Sequence, residues 1–327
     1  MADGYFSGPF APMCEEYVAQ KRATGLIYET QAKLLRQFDN FCKDFNVENF
    51  CITEEIAKEW YKRRKNEVDS SRRDRIQVVH NFAEYLNCRG YTSFLFSDIP
   101  SRGYPHVPYI FDREQIKQLF SYWDNKESSS FTTAPDVCPS LFRVLYGCGL
   151  RISEALKLQK QDVDLDEGTI WIKHAKNDNE RVLPVSQSLC NHLVSYMDKM
   201  HSGTAEEMPL FYTKQRTAYH SATIGQLFRN SLWDIGIVYR GKDCGPRLHD
   251  LRHTFACHNI QDWAEQGIPI ESKLPILSKY LGHRSVIATM WYLRLTGDVY
   301  PHIRQICDAQ ADRFYNGIYN PEVTPNE

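Results

Sequence analysis

The sequence lacks any C-x-x-C pair: its ten cysteines stand singly along the chain, so neither a disulfide framework nor a spaced set of zinc ligands is expected. Scattered thiols fit a reducing compartment. No apolar run approaches the length of a membrane span, and the amino terminus, with Asp3 and Phe6 but no apolar block, carries no secretory signal. These absences lead us to expect a cytoplasmic protein with no membrane partner. An excess of positive charge is missing too. Lys and Arg total 39 against 41 Asp and Glu, a formal net charge of -2, which argues against a uniformly basic nucleic-acid coat. Attraction to phosphate would have to come from local clusters of cations. Internal repeats and low-complexity tracts are also absent.

What remains is the composition of an ordinary globular chain, 42% hydrophobic and 24% charged, whose 327 residues exceed the usual size of one core. We expect two domains, a helical one over residues 11–100 and a larger one over 110–327, joined by a linker at 101–109. Pro100, Gly103, Pro105 and Pro108 punctuate that connection. In the first domain, Leu26, Leu34, Leu35, Phe38 and Phe41 approximate a helical stripe. Thr53 caps a second helix through Ile56 and Trp60, and Ile76, Val79, Phe82 and Leu86 mark a third.

The second domain opens on Asp112 with Gln115 three residues on, a capping-box pattern before Ile116, Leu119 and Phe120. Alternation in Thr169–Lys173 and in Arg181–Val185, with Asn177-Asp178-Asn179 between, predicts a β-hairpin. Most of the remainder reads as helix, so the expected fold class is mainly α with a small β-sheet (α+β).

Four patches outside the core pattern carry chemistry: Arg151 after the Gly147 and Gly149 turn, Lys176 at the hairpin tip, His249-Asp250-Leu251-Arg252-His253, and Leu281-Gly282-His283 followed by Tyr292. His249 and Arg252 lie three apart on a predicted helix, so they share a face. As an ordered set these residues resemble the tyrosine recombinase (phage integrase) family. The resemblance covers the whole second domain, and the helical domain before it looks like that family's core-binding module. The stretch Ser278 to His283 and Trp291-Tyr292-Leu293 are similar to transposon-encoded members.

The resemblance implies a role for each position. Arg151 and Arg252 would clamp the scissile phosphate, Tyr292 would be the nucleophile, and Lys176, which precedes the strand proline Pro184 by eight residues, would protonate the leaving oxygen. A register shift would exchange Lys176 for Lys173. His249 would assist loss of the phenolic proton, His283 would bond the phosphate, and Glu154 would support the arginine or histidine geometry. Arg151 and Arg252 remain cationic and bidentate, so strand cleavage needs no metal and no cofactor. A phosphotyrosine bond retains the energy of the broken strand, so ATP is not required either.

The family also implies duplex recombination sites as partners, assembly into a tetramer on DNA, accessory DNA-bending or directionality factors, and a last helix near residues 300–315 that docks onto a neighbouring subunit. Ile303, Ile306, Ala309 and Phe314 are the apolar side offered for that docking. A basic cluster in the first domain, Lys62, Arg63, Arg64, Lys65, Arg72, Arg73 and Arg75, reads either as a clamp on the duplex backbone or as a solvated face balanced by Glu59, Glu67, Asp69 and Asp74. The expected function is a site-specific recombinase acting through a 3′-phosphotyrosine intermediate, integrating or excising a mobile element. Two other readings stay open: a non-catalytic DNA-binding regulator with the same fold, and a type IB topoisomerase-like relaxing enzyme.

Overall fold

A computed structural model describes residues 5–101, 107–173, 180–238, 245–283 and 285–319, with side chains of the last helix described as far as Asp312. The chain divides into two compact units, Met1–His106 and Val107–Glu327.

The first unit is built from α1 (Ala11–Ala23), α2 (Glu29–Phe41), α3 (Glu54–Tyr61) and α4 (Asp69–Cys88). Periodicity does not predict helix α1; it buries Cys14, Tyr17 and Val18, which share one face. Its start is fixed from a distance. The buried carboxylate of Asp39 on α2 accepts backbone N–H bonds from Gly8 at 2.7 Å and Phe10 at 2.8 Å. Gly8 lies so close that a Cβ there would overlap the Asp39 carbonyl, so only glycine fits. Thr53 caps α3 as expected, accepting from the Ile56 N–H. The core gathers Phe10, Tyr17, Leu35, Phe38, Trp60 and Phe82.

The second unit opens with α5 (Arg113–Asp124), whose capping box closes as expected: Gln115 N–H donates to Asp112 at 2.8 Å and Asp112 N–H to the Gln115 side chain at 3.1 Å. There follow α6 (Ala134–Gly147), the short α7 (Ile152–Ala155), and the strands β1 (Val163–Asp164), β2 (Thr169–Ile172) and β3 (Arg181–Pro184). The expected hairpin is the β2–β3 pair, with Ile170 opposite Leu183 on the buried face and Trp171 opposite Val182 on the exposed one. Strand β1, which adds a third antiparallel strand beside β2, is only two residues long and leaves no alternation to read.

Helices α8 (Gln187–His201), α9 (Ser221–Asp234), α10 (Asp250–Glu265), α11 (Ile270–Leu281), α12 (Ile287–Val299) and α13 (Arg304–Tyr319) complete the unit. Its fold is mainly α with a small sheet, the class expected from the sequence. One core centres on α6 and receives α5, α8 and β2; a second joins α10, α11, α12 and α13. In this single chain α13 lies on α12 through Cys307 and Ala311, joined by Ile303 from the turn just before it. Ile303, expected on the side offered to a neighbouring subunit, is instead buried in this core. Ile306 and Ala309 are exposed, and the side chain of Phe314 lies outside the described residues. Among the described residues no helix is long and apolar enough to cross a membrane.

Candidate active site

The site begins where α6 ends. Gly149 takes φ of +58°, and a Cβ there would meet the Phe255 ring at 2.6 Å, so the backbone of the turn touches α10 directly. This turn delivers Arg151 in extended backbone at the start of α7. Arg151 donates from its main-chain N–H to Glu154 Oε2 at 3.0 Å and from Nη1 to Oε1 at 2.8 Å. Glu154, buried, also receives Arg181 of β3, Nη2 to Oε2 at 3.0 Å. Burial pulls the Glu154 pKa up, but the Arg181 hydrogen bond and charge, with Arg151 behind them, outweigh it and hold the carboxyl below its ordinary range. One carboxylate thus fixes two guanidiniums from different elements.

Helix α10 supplies the next group. Arg252 is 1% exposed, and its two terminal nitrogens donate to the Gly149 carbonyl at 2.8 Å and the Leu281 carbonyl at 2.5 Å. Burial, then the Arg151 charge, lowers its pKa to about 10, which leaves it cationic at neutral pH. His249, at the start of the helix, keeps one side open to solvent. Desolvation by the protein around its ring, followed by the Arg252 and Arg151 charges, pushes its pKa down to about 4, so the imidazole is neutral at pH 7.

The turn between α11 and α12 closes the site. Gly282 adopts φ of +67° at the end of α11, and the Arg181 guanidinium packs at 2.8 Å from where a Cβ would stand. Arg181 Nε donates to the Tyr280 carbonyl at 2.9 Å, tying β3 to this turn. His283 Nδ1 and Thr289 Oγ1 stand 2.8 Å apart, which orients the ring. Burial and then Arg252 lower the His283 pKa to about 4. One helix further, Tyr292 is 2% exposed, and its ring lies parallel to that of His283 at 6.2 Å between centroids. Its hydroxyl stands 2.9 Å from Nδ1 of His253. Burial raises the phenol to about 12, against the opposing pull of Arg252.

Of the residues expected to act, Arg151, Glu154, His249, Arg252, His283 and Tyr292 are therefore brought together by contacts and mutual charge effects. Lys176 lies outside the described residues. Lys173, the register alternative, is engaged elsewhere: its ammonium sits 2.6 Å from Asp162 and over the Trp171 ring. The stretch between Arg252 and His283 is the remainder of α10, a short turn and α11, which contains Pro275. Sequence reasoning missed Arg181 and His253. The first reads only as a strand residue, and the second only as a neighbour of Arg252, although it follows His249 by one helical turn. An open cleft of about 490 Å³ flanks the site, bordered by Arg181, Lys279, Gly282 and His283.

The basic cluster of the first unit divides. Arg75 is 2% exposed, pairs with Glu67 at 2.7 Å, and donates to the main-chain carbonyls of Trp60 and Lys62. Removing it from that nest would leave Glu67 buried without its cation, so Arg75 is a core residue, which corrects its expected place among the DNA-binding cations. Arg72 lies over the Tyr61 ring and donates to the Tyr61 carbonyl at 3.1 Å. Arg64 lies over Trp60. Lys62, Arg63, Arg64 and Lys65 are exposed, with Lys62 paired to Glu59 and Arg63 to Asp69; Arg73 is half-buried.

The guanidiniums of Arg151 and Arg252, with the neutral imidazoles of His249 and His283 and the buried phenol of Tyr292 all within range of their charge, suit displacement at a phosphodiester, where negative charge builds on non-bridging oxygens. Among the described residues no group of three or more His, Cys, Asp or Glu side chains is placed to hold a metal ion.

Set beside known proteins, residues 110–298 match the family model described as the phage integrase family. A protein of Sinorhizobium fredii that bears an integrase/recombinase name is 29% identical over 293 residues, covering 87% of this chain and 92% of that one. The tyrosine recombinase XerA of Thermococcus kodakarensis is 30% identical over 201 residues, 61% of each chain. The chain thus spans less than two thirds of that relative's length, and 48% of the XerA of Pyrococcus furiosus. Among solved structures, the Tn1549 transposon integrase in complex with transposon right end DNA has a similar fold, with a TM-score of 0.61 at 17% identity over 86% of this chain and 94% of that one. XerH bound to palindromic difH gives a TM-score of 0.59 at 17% identity, covering 90% and 82%.

Proposed function

The chain belongs to the phage integrase family, and from that premise we propose that it is a site-specific DNA recombinase whose Tyr292 becomes joined to a DNA 3′-phosphate while strands are exchanged. The single observation carrying this reading is the position of the Tyr292 hydroxyl, 2.9 Å from His253 in the first turn of α10, beside His249 and Arg252.

Attack by the phenolic oxygen on phosphorus displaces the 5′ oxygen of the next nucleotide. Arg151 and Arg252 neutralise the charge that develops on the non-bridging oxygens, and their held geometry makes them ready donors for it. Glu154 positions Arg151. His283, its Nδ1 engaged by Thr289, keeps its Nε2 for a phosphate oxygen. Lys176 gives a proton to the leaving oxygen. The second strand's 5′ hydroxyl reverses the step, so no nucleotide cofactor or metal enters.

The partners in this reading are duplex recombination sites held by a tetramer, with accessory DNA-bending or directionality factors, and the substrate is the end of a mobile element. Neighbouring subunits engage through α13, whose exposed Ile306 offers an apolar contact. The likeness to the Tn1549 integrase fold and to the Sinorhizobium relative supports the mobile-element role. The nine described cysteines are all free, in keeping with a reducing cytoplasm.

Nicked duplexes carrying a site selected from random-sequence DNA test the reading. Wild type should leave a protein–DNA adduct that survives denaturation, in chelator as in its absence, and Tyr292→Phe should leave none. An adduct that persists in the phenylalanine variant removes Tyr292 from the chemistry. Selective binding without any adduct favours a regulator.

A further inference from the structure

We propose that His253, and not His249, accepts the phenolic proton of Tyr292 during strand cleavage, which makes His253 a catalytic residue of this site. The inference rests on the reading of Tyr292 as the nucleophile. Geometry distinguishes the three histidines. His253 Nδ1 stands 2.9 Å from the hydroxyl, within direct transfer distance. His283 faces the tyrosine ring in parallel, and its Nδ1 is engaged by Thr289. His249 packs its ring edge-on against His253, with centroids 4.7 Å apart, one turn back on α10 and at the solvent side.

The His253 ring is held in place. His249 meets it edge-on, Trp291 packs at 5.5 Å and 72°, and Tyr292 lies at 5.6 Å. Three aromatic neighbours from two helices confine the imidazole to an orientation with Nδ1 toward the hydroxyl. In the neutral tautomer carrying its proton on Nε2, Nδ1 presents to the Tyr292 hydroxyl the lone pair the step needs. The O–H bond of Tyr292 then breaks toward Nδ1 as the Oη–P bond forms, the imidazole becomes imidazolium, and the P–O5′ bond breaks with its electron pair leaving on oxygen. The leaving oxygen takes its proton from a separate acid. Arg252, next along α10, steadies the phenolate as it develops.

The test uses the full chain and a nicked duplex whose site wild type has itself selected by covalent trapping from a random-sequence library. His253→Asn keeps an acceptor near the position of Nδ1 but removes the base. It should slow adduct formation on the order of 100-fold with affinity for the same duplex unchanged. Replacing the bridging 5′ oxygen with sulfur, a leaving group that needs no proton, should not restore the variant's rate. Incorporating a fluorinated, more acidic tyrosine at position 292 should narrow the gap between wild type and His253→Asn, which a purely structural role would not do. A fall of less than about tenfold in His253→Asn, rescue by sulfur, or a gap untouched by the acidic tyrosine overturns the proposal. If His253→Asn does not fold, His253→Gln under the same three readings decides it. Failure to trap any adduct with wild type, or trapping with Tyr292→Phe, rejects the underlying reading instead.

Discussion

Arg252 shows how a single side chain can be catalytic in position and structural in its bonds. Its guanidinium spends two donors on the carbonyls of Gly149 and Leu281, which come from the turns that also deliver Arg151 and His283. The remaining donors are the ones free to meet a phosphate oxygen, and the planar fork fixes the direction in which they point. Arg252→Lys keeps the charge and loses the fork. Single-turnover adduct formation should fall on the order of 100- to 1000-fold, while affinity for the duplex changes little. The midpoint of urea unfolding should drop as well, reflecting a cost of roughly 1–3 kcal/mol, because a buried carbonyl loses its donor. Normal cleavage by the lysine variant would show that charge alone suffices. Arg252 and His249 were legible through the ordered motif set that resembles the family, and helical spacing adds only that the two share a face. What spacing cannot supply is contact across helices, and this is why His253 and Arg181, each defined by a partner on another element, escaped the sequence.

Helix α10 is anchored through its far end as much as through its catalytic turn. His258, in the Cys257-His258 pair, is buried, and its Nδ1 stands 2.8 Å from the Tyr146 hydroxyl of α6. Both members of the pair are buried and take part in the packing of α10. Burial, then the Arg113 charge, lowers the His258 pKa to about 4 from the ordinary value of 6.5. The unfolded chain binds the proton more readily than the fold does, so this contribution is complete above pH 6.5 and is lost as pH falls toward 4. The full span amounts to about 3 kcal/mol. His258→Asn should remove that share of the acid sensitivity between about pH 7.5 and about pH 4.5, leaving the comparable contributions of His249 and His283, whose pKa values are also lowered to about 4. Chemical denaturation at both pH values checks it, and an unchanged slope would locate the proton uptake elsewhere. Elements with strong local signals, such as the capped α3 and α5 and the alternating β2 and β3, are readable from sequence. Helix α1 shows only Pro12 in its first turn as a local signal, and its start is held by a carboxylate from α2, a tertiary contact that the sequence does not display.

Over the whole molecule, charge divides into cations that hold the fold and cations that face water, and the near-neutral total conceals the division. Arg75 belongs to the first kind. Lys62, Arg63, Arg64 and Lys65 belong to the second, and the pairing of Lys62 with Glu59 and Arg63 with Asp69 is of the exposed sort that contributes little to stability. Such pairs exchange readily for phosphate, because an exposed carboxylate competes weakly with the dense charge of a duplex. We therefore expect Lys62, Arg63 and Lys65 replaced together by alanine to flatten the dependence of log affinity on log salt by about 0.9 for each phosphate that is no longer neutralised, with unfolding unaffected. Any duplex serves as the probe, since the effect is independent of sequence. Arg75→Ala should do the reverse, costing about 3–5 kcal/mol in unfolding free energy by stranding Glu67, while the folded fraction keeps the wild-type salt slope. Titrations from about 50 mM to about 200 mM salt distinguish the two behaviours. A triple variant with an unchanged slope would assign those three cations to solvent, and DNA retention would then rest on the second unit.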